Sequence, residues 1–203
     1  MRLYLVRHGE TEFNKKGLAL GQADVDLNDT GRWQAARLAE AFGDERLDAV
    51  YSSPLSRARE TAEAIATRHD LTVGAVPDLI EMNIGEVEGL TFAQVRERFP
   101  ALAQNWARPD GPTFRMPGGE ALVDVQQRAL SVLESLRGSD GGRAVVAVSH
   151  NFVILSLLAS VLGIELAHFR ALRQALAAVS TLEISAKRTT ILRLNDTCHL
   201  EVS

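Results

Sequence analysis

The chain has 203 residues, 46% hydrophobic and 24% charged, with a formal net charge of −4. That balance fits one globular α/β domain, and the negative sum excludes a nucleic-acid or anionic-membrane surface, so any anion site must be a local gathering of Arg and His. A single cysteine (Cys198), a first strand beginning at about Arg2 and no apolar run longer than Phe152–Ile164 exclude an intrachain disulfide and a membrane span, and set the expectation of a soluble, cytoplasmic chain.

Leu3–Val6 is an unbroken apolar run and reads as the first strand. It ends in Arg7-His8-Gly9-Glu10-Thr11, which places an imidazole and a guanidinium at the carboxyl edge of a sheet, where open α/β folds bind ligands. After a loop rich in Gly, Asn and Asp, a helix is predicted from about Thr30 to Phe42, with Ala35, Leu38, Ala39 and Phe42 on one face. Ala49-Val50-Tyr51 reads as a second strand. Ser53-Pro54 then reads as N-cap and first-turn proline of a helix reaching about His69, and Leu71–Val76 as a third, weaker strand.

From Asn83 to Gly119 the pattern degrades around Pro100, Pro109, Pro112 and Pro117, with a short helix near Phe92–Phe99. A stretch this long reads as a lid or small insertion. Leu122, Val125, Ala129, Val132 and Leu136 then mark an amphipathic helix ended by Gly138, Gly141 and Gly142. Ala144–Val148 is apolar on both faces, as a central parallel strand should be, and Asn151–Leu162 reads as a buried helix. Leu182-Glu183-Ile184 and Leu192-Arg193-Leu194, joined by Ala186-Lys187-Arg188, read as an antiparallel hairpin. The expected fold is three-layer α/β/α: a mostly parallel mixed sheet with helices on both faces and one antiparallel edge. It forms a single domain over 1–203 with its lid or insertion at about 83–119. The edge hairpin can pair with a second copy as a homodimer or stay blunt.

Chemistry-bearing residues converge on the same sheet edge. Arg57 lies in the opening turn of the second helix, where free N–H groups already favour anions. Ser149-His150 closes the central strand, and Glu81 ends an apolar segment before a loop punctuated by Gly85, Glu88 and Gly89. Histidine, arginine and a carboxylic acid are what phosphoryl transfer through a phosphohistidine requires. The ring attacks, cations hold the phosphoryl oxygens, and the acid protonates the leaving alkoxide. No Walker-type loop, Asp/Asn cluster or HExxH pair is present, so a mechanism without metal or other cofactor is expected.

Arg7-His8-Gly9-Glu10-Thr11 with Asn14, Ser53-Pro54 with Arg57-Ala58 and Thr61-Ala62, Glu81 with Gly85 and Glu88-Gly89, and Ser149-His150 together resemble the histidine phosphatase superfamily. The resemblance covers nearly the whole chain and implies the phosphoglycerate mutase-like fold. It also implies His8 as the residue that becomes phosphohistidine, Arg7, Arg57 and His150 as a phosphate clamp, Glu81 as proton donor and Asn14 as a further phosphate or substrate contact. Departures fall at Asn151, where glycine is common; at Leu20-Gly21, where Gln-Gly or Thr-Gly is frequent; and at Val87, often aromatic.

Met116-Pro117-Gly118-Gly119-Glu120 resembles the phosphatase branches, of the α-ribazole phosphatase and broad-specificity type, and the long basic insertion of the mutases is missing. The expected activity is therefore a phosphomonoester phosphatase acting on a small phosphorylated metabolite. A phosphoglycerate mutase-type phosphotransferase and a catalytically lapsed phosphate-binding module are the alternatives. Within the insertion, Trp106 is a candidate pocket wall, and Arg108 and Arg115 are candidate contacts to a second anionic group.

Overall fold

The computed structural model describes residues 1–106, 108–139 and 143–201. In chain order the elements are β1 (Arg2–Arg7), α1 (Glu12–Lys15), α2 (Asp29–Ala41), β2 (Ala49–Ser52), α3 (Ser56–Thr67) and β3 (Val73–Ala75). There follow α4 (Phe92–Arg98), α5 (Pro100–Asn105), α6 (Leu122–Ser139), β4 (Ala144–Ser149), α7 (Asn151–Val161), β5 (Val179–Ile184) and β6 (Thr189–Asp196). The strands form one six-stranded sheet in the order β3-β2-β4-β1-β5-β6. β3, β2, β4 and β1 run parallel, while β5 pairs antiparallel with both β1 and β6. The expected antiparallel edge is there, with strands longer than their apolar cores.

Alternation along the strands sorts the core into two layers. Leu3, Leu5, Val145, Ala147 and Leu182 face the buried side chains of α6 and α7. Tyr4, Val6, Val50, Val146 and Val148 face Leu38 and Phe42 of the α2 region and Ala58, Ala62 and Ile65 of α3. A strand's side chains alternate with period 2, so only a sheet covered on both faces buries every residue of such a run. Among the described residues, no helix is long and apolar enough to cross a membrane.

The order of the strands creates the site. The chain leaves β1, builds β2 and β3 to one side, then returns to insert β4 between β1 and β2. Three adjacent parallel strands thus end side by side, with Arg7, Ser52 and Ser149 as their last residues and His8, Ser53 and His150 just beyond. The ladder pairs Arg7 with Ser149, and the His8 amide donates to Ser149 O at 3.1 Å.

Differences from the expected elements have local causes. α1 exists because Thr11 and Asn14 form a reciprocal capping box over only four residues, too short for hydrophobic periodicity to reveal. Ser53 does not cap α3. That helix begins three residues later with Leu55 at its N-cap, and the Ser56 amide donates to Asp24 Oδ1 at 2.7 Å. The Ser53 hydroxyl is drawn instead to His150, at 2.7 Å. α6 runs through Gly138 to Ser139, while the expected stops Gly141 and Gly142 lie outside the described residues. Pro100 does not merely break the insertion's helix; it opens α5 as a first-turn residue.

One contact fixes the start of α2 against the loop after β1. A Cβ on Gly31 would lie 2.1 Å from Glu10 O, and one on Gly9 would lie 2.6 Å from Gly31 O. Both obstacles are backbone, so neither can yield cheaply. Gly31→Ala is expected to destabilise the fold by about 3 kcal/mol, the upper end of overpacking costs. The midpoint of urea unfolding should fall with an unchanged slope.

Candidate active site

His8 lies just past β1 and is 3% exposed. Its Nδ1 lies 2.7 Å from Gly9 O. A carbonyl only accepts, so Nδ1 carries the hydrogen and Nε2 keeps its lone pair. Burial, with Arg57 and Arg7 nearby, pushes the ring well below the usual histidine range, which keeps it neutral. The loop is pinned from behind by Thr61, whose Oγ1 accepts from Gly9 N at 3.1 Å and donates to Arg57 O at 2.8 Å.

Two guanidiniums flank this ring. Arg57 is fully buried; its Nη1 donates to Ala23 O at 2.8 Å and its Nη2 to Gly21 O at 2.6 Å. Arg7 donates through Nη1 to Gln174 O at 2.7 Å and to Asn151 Oδ1 at 3.3 Å. Desolvation pushes Arg7 down to about 10, which leaves it charged at neutral pH. In both arginines Nε is buried without a hydrogen-bond partner among the described residues, so each keeps an N–H donor that a ligand oxygen or a water can take.

His150 stands beside His8, with ring centroids 5.1 Å apart and planes tilted by 55°. Its Nε2 meets Ser53 Oγ, while its buried Nδ1 has no partner. In the tautomer where the Ser53 hydroxyl donates to Nε2, Nδ1–H is a further donor available to an anion. Burial, reinforced by Arg57 and His8, keeps this ring's proton affinity low as well.

Glu81 is 3% exposed and accepts from Met82 N at 2.8 Å and Phe152 N at 3.3 Å. Burial raises its pKa above the ordinary carboxyl value, against the pull of those two N–H groups and of Arg57 and Arg7. A buried carboxyl with raised proton affinity, close to two cations and a neutral imidazole, is equipped for acid catalysis on an anionic substrate.

A family model described as the histidine phosphatase superfamily (branch 1) matches residues 3–197. The chain belongs to that superfamily. It is 36% identical over 201 residues to phosphoserine phosphatase 1 of Hydrogenobacter thermophilus, covering 98% of this chain and 94% of the relative. It is also 36% identical over 179 residues to the glucosyl-3-phosphoglycerate phosphatase of Mycobacterium tuberculosis, covering 84% and 79%. Among solved structures, Bacillus stearothermophilus YhfR superposes with a TM-score of 0.92 at 30% identity, covering 98% of this chain and 99% of that one. The activity class follows: this superfamily member is a phosphomonoester hydrolase.

The structure gathers Arg7, His8, Arg57, Glu81 and His150 at one point, and places the remaining candidates differently. Asn14 Oδ1 is engaged by the Thr11 amide and hydroxyl at 3.1 and 2.9 Å, so only its amide nitrogen remains to meet a ligand. Asn151, which stands where glycine is common, has its Oδ1 on Arg7. Leu20 is half-buried, and the loop that follows it is held by Glu88, whose carboxylate accepts from Gly21 N, Gln22 N and Ala23 N at 2.7, 3.0 and 3.3 Å. Trp106 packs edge-on against Phe152 and Phe169, with centroids 6.2 and 6.3 Å away. Phe152 follows Asn151 and donates to Glu81, so this aromatic cluster ties the insertion to the acid's side of the site. Arg108 and Arg115 are exposed and paired with Asp110 and Asp124 at 3.1 and 2.9 Å.

Gln22 and Gln174 are site residues that sequence reading passes over. Gln22 Nε2 donates to Glu81 O at 2.9 Å, supplying beside Gly21 the polar group missing at Leu20. Gln174 is buried; its carbonyl holds Arg7, and its side chain bridges Ala178 O and Ser180 Oγ at 2.7 Å each. Nothing in the spacing around Gln174 announces this role.

Proposed function

We propose that the chain hydrolyses a small phosphorylated acid in two displacements through a phosphohistidine on His8. One observation carries this reading. His8 presents an unprotonated Nε2 between the fully buried Arg57 and the half-buried Arg7, each with a buried Nε–H that meets no acceptor among the described residues.

In the first step Nε2 attacks phosphorus while the ester P–O bond breaks, and Glu81 passes its proton to the departing alkoxide. The ring is now an imidazolium, and its Nδ1–H bond to Gly9 O strengthens because the donor is charged. Arg7, Arg57 and His150 face the equatorial oxygens, where negative charge is spread during transfer. In the second step the Glu81 carboxylate takes a proton from water, the resulting hydroxide attacks phosphorus, and the P–Nε2 bond breaks. Inorganic phosphate leaves and both residues return to their starting protonation states. The positive charge required is supplied by the chain's own side chains.

The substrate class draws support from the relatives. Phosphoserine and glucosyl-3-phosphoglycerate, named for the two enzymes above, each carry a carboxylate on the three-carbon unit that bears the phosphate. Rapid quenching with labelled substrate should trap an acid-labile, alkali-stable phosphoryl group on His8. Across phosphoserine, phosphoglycerates, sugar phosphates, α-ribazole phosphate and an aryl phosphate, kcat/KM should be highest for a phosphorylated acid. Phosphoglycerate interconversion without phosphate release would overturn the hydrolytic reading, and equal kcat/KM across the panel would overturn the substrate class.

A further inference from the structure

We propose that Arg128 and Glu120 form a positioning device for the proton donor Glu81 and so set how well poor leaving groups are expelled. The proposal rests on the phosphohistidine reading above and goes beyond it, because neither residue touches the reacting atoms.

Arg128 projects from α6 and its Nη1 donates to Asp78 O at 2.7 Å and to Ile80 O at 2.5 Å. Its Nε and Nη2 lie 3.3 and 3.4 Å from the two carboxylate oxygens of Glu120. Glu120 in turn holds the other side of the acid: its Oε2 accepts from Asn83 N at 2.6 Å, and its own amide donates to Asn83 O at 2.8 Å. The pair therefore grips the backbone immediately before Glu81 and two residues after it. A third tether, Ser149 Oγ to Leu79 O at 2.7 Å, ties the same segment to the end of β4.

Further contacts show that the grip is tight. Gly85 has φ +53°, and a Cβ there would lie 2.0 Å from Pro117 O, while one on Gly119 would lie 2.2 Å from Asn83 O. The Met116–Glu120 turn thus lies directly on the loop that follows the acid. The ion pair is largely shielded, at 15% and 24% side-chain exposure, so water competes with it less than at an exposed pair. By contrast, among the described residues the Glu81 carboxyl itself accepts hydrogen bonds from the Met82 and Phe152 amides alone. Its aim is inherited from the backbone that Arg128 and Glu120 hold. An acid must lie within hydrogen-bond reach of the leaving oxygen, and a misplacement of about 1 Å costs roughly a hundredfold.

This role predicts a split that general destabilisation would not give. Arg128→Met and Glu120→Gln should lose roughly tenfold to a hundredfold in kcat/KM on an alkyl ester such as phosphoserine. On p-nitrophenyl phosphate, whose leaving group departs without a proton, the loss should stay within about threefold. Binding of vanadate, which reads the clamp and His8 but not the acid, should be unchanged. Arg128→Lys should recover little, because an ammonium cannot span two carbonyls and a carboxylate as the guanidinium fork does. If Arg128→Met does not fold, Glu120→Gln keeps the volume and carries the test. Equal losses on both esters, or full activity on the alkyl ester, overturn the proposal alone. An unmodified chain that forms no phosphohistidine overturns instead the reading beneath it.

Discussion

His8→Ala is expected to lower kcat/KM by about 10⁵-fold or more and to abolish the trapped phosphoryl group, the size of effect seen when a nucleophile is removed from a covalent mechanism. His150 cannot replace it. That ring has its Nε2 on Ser53, and its other nitrogen, Nδ1, serves better as a donor than as an attacking lone pair. Arg7 and Arg57 are held by backbone carbonyls that do not depend on the imidazole, so the clamp should survive the substitution. The variant should therefore still bind a phosphomonoester. Calorimetry on His8→Ala would show binding without turnover; measurable phosphate release near the parent rate would remove His8 from the mechanism.

Glu81→Gln should cost about 10³-fold in kcat/KM on alkyl phosphates and far less in kcat/KM on aryl phosphates, because in the transfer to His8 only the former need a proton on the leaving oxygen. The pH dependence follows from the direction of each shift. Active enzyme has Glu81 protonated and His8 neutral. Burial raises Glu81, so activity of the parent falls as rising pH finally ionises that carboxyl. His8 is held well below the histidine range by burial and two arginines, so the acid side of the profile extends well below pH 6.5. The variant should lose the alkaline fall that Glu81 causes while keeping the acid side.

Linked effects on stability have definite signs. A carboxyl raised in the folded state contributes stability that is present below about pH 4.5 and lost as pH climbs through its folded value. The two lowered histidines act in the other direction, their contribution being lost as pH falls below about 6.5. Relative to the parent, Glu81→Gln should gain stability between acid and neutral pH. A constant difference in unfolding free energy across that range would contradict the burial of a reluctant carboxylate.

Most of the architecture was legible because it is written in local patterns. The runs Leu3–Val6 and Ala144–Val148, and the helical spacing from Leu122 to Leu136, announce the central strands and a covering helix directly. The clustering of the five residues was legible too, since four sit where a strand or apolar segment ends and Arg57 sits in the opening turn of the helix after β2. What stayed hidden is made of contacts between distant positions. Glu88 reaches the 21–23 loop across 67 residues, and Asn151 reaches Arg7 across 144. Ser53 reads as a cap from its neighbours alone, and only the arrival of β4 beside β2 brings His150 to claim its hydroxyl. Arg128 looks like an ordinary polar-face residue of an amphipathic helix until the fold lays the 78–83 segment across it.

β1 and β4 are hydrogen-bonded neighbours, and their last paired residues stand directly before His8 and His150. Neighbouring strands lie about 4.8 Å apart whatever side chains they carry, and the two rings are separated by 5.1 Å. On the phosphohistidine reading, the spacing between the attacking ring and the clamping ring is thus measured out by peptide geometry, a ruler that mutation of the surrounding side chains barely touches. Sequences built on this frame can drift through the loops and the 83–119 segment without having to rediscover the spacing of the two histidines.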